Sequence, residues 1–213
     1  MTDTSTLIAR LSSDAAAPTA VCTPRYWAVR LVAVLAAYGI GLQLFYLGFR
    51  PDLATLWSQP LFVAEILLLA LVICTSILAG ILAMYPDSYQ RPKLLVLPYL
   101  AFALLVLLLG FELTQAPATA LSMTVREMEC ATCIAMVSIF PSALMFAVLR
   151  KGATIHPFRA GSFAVLTASA MGCLGLRLEE VDGSLMHLVI SHYLPTLVFA
   201  VVGAVIGKRL LRW

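Results

Sequence analysis

Six apolar stretches, each about as long as a bilayer is thick, occupy nearly all of this chain after residue 26. They run over Trp27–Phe49, Pro60–Tyr85, Lys93–Leu113, Met128–Leu149, Phe158–Leu178 and Leu185–Gly207. A helix needs about 20 apolar residues to cross the hydrocarbon core. The pattern therefore predicts an all-α integral membrane bundle of six transmembrane helices, residues 27–213. A cytoplasmic N-terminal arm, residues 1–26, carries one short helix. The lipid bilayer is the first partner that the sequence implies.

Composition agrees with that reading. Hydrophobic residues make up 62% and charged residues 12% of the 213 positions, where a soluble domain carries about 25% charged residues. No second folded domain or low-complexity tract is visible. The arm does not read as a secretory signal. Such a signal sets its basic region directly before a short apolar core and a cleavage site, whereas here a polar segment precedes a full-length span.

Orientation follows from the basic residues in the short loops. Of the 14 Lys and Arg, only Arg50, Arg126 and Arg177 fall on one side. The rest gather in the arm, in the turns around Arg91–Lys93 and Arg150–Lys151, and at Lys208, Arg209 and Arg212. Both termini are thus expected in the cytoplasm of a bacterial inner membrane. The opposite loops collect Asp52, Glu127, Glu129, Glu179, Glu180 and Asp182. The net charge of +3 reflects this topology and implies no direct nucleic-acid contact.

Within the arm, Thr6–Ala15 sets Leu7, Ile8 and Leu11 on one stripe of a helix. Thr4 or Ser5 is the expected cap, and Pro18 the expected end. Pro51 and Pro60 bound the first outer loop, with room for a short interfacial helix around Trp57. Pro98, Pro141 and Pro195 lie inside spans, where neighbouring helices or hydroxyls can satisfy the carbonyls that proline frees.

Ionisable residues inside a membrane are costly and commonly functional. Glu65 is the only acid well inside a span, and a structural role with an Arg or hydroxyl partner is expected for it. His187 and His192 lie in the outer part of the sixth span. No series of acids and bases crosses the bilayer, as proton-coupled transport requires. Ser162 and His192 fall at opposite ends of their spans and cannot form a catalytic pair. The chain therefore reads as a non-enzyme.

The cysteines form a layer. Cys130 and Cys133 make a C-A-T-C at the outer start of the fourth span, and Cys173 lies about one turn from the outer end of the fifth. Residues three apart share a helix face. Met123, Met128, Met171, Met186, His187 and His192 lie at similar depth. Cys130, Cys133 and Cys173 are the candidate sensing thiols, and with His187 they are candidate ligands. Sulfur and imidazole donors suit copper(I) or zinc, here as a transient signal rather than a resident cofactor. A thiol pair could also close into a disulfide. Equally, free Cys and Met can serve simply as apolar packing.

Several stretches carry a resemblance. The opening Thr6–Ala15 (TLIARLSSDA), the loop Gly48–Leu53 (GFRPDL), the segment Pro141–Pro157 with Leu149-Arg150-Lys151-Gly152-Ala153, and the ending Gly207–Trp213 (GKRLLRW) resemble the NrsF (DUF1109) family. These are six-span bacterial anti-sigma factors that restrain an extracytoplasmic-function sigma factor. The resemblance implies a cysteine between the fifth and sixth spans, where this chain has Leu178-Glu179-Glu180-Val181-Asp182.

The resemblance also implies a mechanism that the residues can support. Leu7, Ile8 and Leu11 would lie in a groove on the sigma factor and hold it at the membrane. An envelope signal, metal or oxidant, would release it. The alternatives are a membrane thiol-disulfide oxidoreductase, which should carry a second outer cysteine pair, and a small transporter.

Overall fold

The computed structural model describes residues 3–14, 23–90, 92–115, 127–181 and 184–211. Helix α1 is Thr4–Asp14. Helix α2, Pro24–Leu42, is prolonged by a wider π-helical turn over Gln43–Leu47. Then follow α3 (Leu53–Leu56), α4 (Pro60–Ala83), α5 (Pro92–Gln115), α6 (Glu127–Leu149) and α7 (Pro157–Glu179). Helix α8 (Leu185–His187) runs through a second π-helical segment, Leu188–Tyr193, into α9 (Leu194–Leu210). Six helical stretches are long and apolar enough to cross a membrane, as predicted, and no strand occurs among the described residues.

Proline sets where long helices begin. Pro24, Pro60, Pro92 and Pro157 each open one, because a first-turn residue needs no N–H partner and proline already holds a helical φ. The first long helix closes differently. Gly48, at φ 81, takes a backbone conformation that side-chain-bearing residues resist, and its N–H returns 2.7 Å to the Gln43 carbonyl. The short helix expected near Trp57 is α3, which ends one residue before it.

Cross-chain contacts distinguish the two ends of the bundle. At the terminal end, where α2 begins and α9 finishes, Ala153 N donates 2.8 Å to the Met84 carbonyl. There Lys151 also lies 5.0 Å over the Trp27 ring. At the far end, Arg50 N donates 3.0 Å to the Leu178 carbonyl. Each end has its own apolar cluster. Leu35, Met84, Leu149 and Phe163 belong to the terminal one, and Leu69, Leu105, Ile134 and Leu176 to the far one.

Helix α7 is the centre. It packs against α4, α6 and α9, while α5 packs on α4. Of its most apolar window, 72% is buried, against 17% for the first span. Small buried residues allow this, among them Ala160, Gly161, Ala164, Ala168 and Gly172. Its seam with α9 has no room for side chains. A Cβ on Gly161 would stand 2.2 Å from the Gly203 carbonyl oxygen and 2.6 Å from Gly207 Cα. Between membrane helices, close backbone approach of this kind supplies the packing that lipid cannot.

One local expectation is corrected. The arm helix starts at Thr4, so neither Thr4 nor Ser5 caps it. Asp3 does: its carboxylate accepts from Ser5 N at 3.4 Å and from the Ser5 hydroxyl. Asp is among the preferred caps because its oxygen meets an otherwise orphan amide. The expected terminator Pro18 lies outside the described residues, as do Cys22 and Met123.

Candidate functional site

Two features remain after the bundle is accounted for: the arm helix and the polar layer at the far end. On α1, Leu7, Ile8 and Leu11 are 53%, 61% and 62% exposed. They form the expected stripe, and none of them belongs to either core cluster.

The far-end layer is built on Glu65. This side chain is 1% exposed and comes from the far-end part of α4. Arg177, in the last turn of α7, donates Nε–H to both carboxylate oxygens at 3.1 and 2.9 Å. The Tyr193 hydroxyl donates to Oε1. Arg177 also lies 5.1 Å over the Phe62 ring. Both partners expected for Glu65, an arginine and a hydroxyl, are therefore present. A buried charge so paired is stable in place, and removing one partner is expensive. Beside the pair is a cavity of about 340 Å³, whose lining includes Arg50, Gln59, Glu65, Glu112 and Arg177. All its lining residues belong to the far end, so it does not continue across the bundle.

The Gly48–Leu53 loop is tied to the same layer. Arg50 Nε and Nη2 grip the Asp52 carboxylate at 2.6 and 2.8 Å, and Nη2 reaches the Val181 carbonyl at 3.4 Å. The Arg50 hydrogen bonds hold the Asp52 carboxyl below its ordinary range.

Next to this network four side chains from three segments converge. Cys130 comes from the first turn of α6, Glu180 from the residue after α7, His187 from α8 and His192 from the π-helical segment. Each offers one donor atom, and the four atoms lie within 4.8 Å of one another. Glu180 Oε1 is 2.9 Å from His187 Nε2, and Oε2 is 3.0 Å from His192 Nε2. The Cys130 thiol is 3.5 Å from Glu180 Oε1. The imidazole contacts are close enough for ion pairs, but neither Nε2 atom makes a directed hydrogen bond. Burial pushes the Glu180 carboxyl up. The imidazoles and the Cys130 thiol push it down and prevail, leaving it below its ordinary value.

The π-helical segment makes the two histidines neighbours. Five residues along an α-helix turn the side chain by about 140° to another face. The wider π turn brings positions 187 and 192 together, with ring centroids 5.4 Å apart. Pro195 allows the widening, since it has no N–H with which to hold the carbonyl four residues before it. Such π segments often occur at functional sites.

Of the residues singled out in the sequence, Cys130 and His187 meet at this point. Cys133 packs one turn further along α6 against the far-end core, which also contains Cys173. The Cys173 thiol is buried, 3.0 Å from Thr196 Oγ1 and 3.4 Å from the His192 carbonyl. All three thiols are free. The sequence reading had not placed Glu180 and His192 among the ligands. The available signal was Glu180 standing in the stretch where a cysteine was expected.

The sequence model of the NrsF family, described as negative regulator of sigma F, matches residues 11–213. No curated protein and no solved structure shows significant similarity.

Proposed function

The chain belongs to the NrsF family, and on that premise we propose how it acts as a negative regulator of a sigma factor. The partner is a sigma factor of the extracytoplasmic-function type. The protein lies in the bacterial inner membrane with both termini in the cytoplasm, as the Lys and Arg distribution supports. The arm helix holds the sigma factor through Leu7, Ile8 and Leu11 and so keeps it from RNA polymerase.

The observation that carries this reading is the uncovered stripe. Three large apolar side chains, each more than half exposed, occupy one face of a capped helix. An amphipathic helix with such a stripe fits an apolar groove on a partner. The family match begins at Leu11, so Leu7 and Ile8 rest on the stripe alone.

Release follows a signal at the far end. Metal or oxidant reaching the Cys130, Cys133 and Cys173 layer alters how α6 and α7 pack. The α6–α7 turn would relay the change. It holds Met84 through Ala153 and lies over Trp27 through Lys151, in the first turn after the arm.

The test is co-purification of the full chain, in detergent, with sigma factors of the extracytoplasmic-function type from the same cell. Leu7→Asp and Leu11→Asp should each weaken retention roughly 30-fold, because desolvating the new charge costs about 2 kcal/mol or more. Membrane insertion should be unchanged. Retention equal to wild type in both variants would remove this face from the mechanism.

A further inference from the structure

We propose that Cys130, Glu180, His187 and His192 form a binding site for one divalent transition-metal ion of the zinc class. This goes beyond the sigma-factor reading and does not rest on it. A chain that held no sigma factor could still bind the ion.

Geometry is the first support. The four donor atoms come from three separate stretches of chain and lie within 4.8 Å of one another. A tetrahedral ion with bonds of about 2.0–2.3 Å places its ligands about 3.3–3.7 Å apart. Small side-chain adjustments therefore close the shell. The Glu180 carboxylate, now wedged 2.9 and 3.0 Å from the two imidazoles, would turn to present one oxygen to the ion.

Unmet bonding is the second support. His187 and His192 are each 1% exposed. Their Nε2 atoms and Glu180 Oε2 are buried without a directed hydrogen-bond partner. Orphan buried polar atoms are rare and call for an explanation. Here all three gather at one carboxylate, with the two Nε2 atoms 2.9 and 3.0 Å from its oxygens. A cation there would accept a lone pair from each, and the Cys130 sulfur would complete the set. His187 Nδ1 lies 3.4 Å from Ser191 Oγ, and contacts of this kind orient a ligating ring.

The donor set selects the metal. One sulfur, two imidazole nitrogens and one carboxylate match zinc ligation. Calcium and magnesium require six or more oxygens, and this cluster offers a single carboxylate. Copper(I) favours soft sulfur ligands, of which there is one. The ion would bind the Cys130 thiolate, displacing its proton to solvent, with no change of oxidation state. It would join the start of α6, the end of α7 and the π-helical segment in one shell. Cys130 and Glu180 are the two partly exposed members of the set, with 19% of the Glu180 side chain accessible, and an ion would enter past them.

Cobalt(II) is a spectroscopic probe for such a site. It is titrated into the metal-free full chain in detergent micelles, followed by zinc competition. The expected result is one cobalt per chain, with visible bands of tetrahedral coordination and a thiolate-to-cobalt band in the near ultraviolet, both abolished by zinc. Cys130→Ser should remove the thiolate band. His192→Gln, His187→Gln and Glu180→Gln should each weaken binding at least tenfold. Cys133→Ser and Cys173→Ser should leave the spectrum unchanged. Circular dichroism and gel filtration confirm that each variant remains folded. Absence of tetrahedral bands in the wild type would overturn the proposal. So would bands that survive His192→Gln and Glu180→Gln together, or bands lost with Cys173→Ser.

Discussion

The two ends of the bundle are held by different physics. At the terminal end, α7 and α9 meet backbone to backbone at Gly161, Gly203 and Gly207, and a Cβ at Gly161 would be 2.2 Å from a carbonyl oxygen. At the far end, buried charge does the joining. Glu65, Arg177 and Tyr193 tie α4, α7 and the π-helical segment, and Arg50 ties the first loop to the end of α7. The α7–α9 seam tolerates little displacement, because neighbouring backbones have nowhere to move. The polar layer can change, because its bonds depend on charge, protonation and ligands.

The largest expected effect tests the polar end. Glu65→Leu leaves Arg177 buried with no carboxylate, and losing one member of a buried pair costs about 3–5 kcal/mol. Thermal unfolding of the purified protein should show it as a large drop in midpoint. The double variant Glu65→Leu/Arg177→Met should recover most of that loss, since apolar replacements of a buried pair are often near neutral. A single variant as stable as wild type would mean that the layer contributes nothing to holding the far end.

The seam comes next. Gly161→Val should cost about 1–3 kcal/mol or more through overpacking, read in the same assay. Gly110 is the control, because a Cβ there meets nothing within 4 Å. Gly110→Ala should be neutral or slightly stabilising. Equal effects at the two glycines would dissolve the contrast between seam and surface.

The smallest effect is a pH dependence at the first far-end loop. Asp52 is held below its ordinary carboxyl value by Arg50. A depressed folded value adds stability above the unfolded value, near 3.8, and loses it as pH falls through the folded one. Hydrogen exchange over residues 48–59 should therefore be flat from pH 7 to 5 after correction for intrinsic rates. It should speed up below about pH 4. Asp52→Asn should abolish the step and leave the rest of the bundle unchanged.

Much of this was open to reading from the residues alone. Six long apolar stretches can only be buried in lipid, so their number and order follow from composition and length. The arm's stripe followed from helical spacing, and Leu7, Ile8 and Leu11 are exposed on one helix as expected. Glu65 followed from cost: an acid at that depth needs a partner, and it has Arg177 and Tyr193. The capping residue was misread because Asp3, Thr4 and Ser5 are all good caps in sequence, and only the path of the chain chooses among them.

The sequence by itself determined what each segment had to be, because burial in a bilayer leaves a helix as the only economical state for such stretches. Which side chains meet was decided only by the tertiary structure. Residues 187 and 192 stand on different faces of an ideal helix, and a π-helical widening before Pro195 brings them together. Cys130 and Glu180 are 50 residues apart and become neighbours only because α6 and α7 pack side by side. Gly161 and Gly207 gain their meaning from each other's backbone. Periodicity records one helix at a time, whereas a site made from three chain segments depends on how the helices pack.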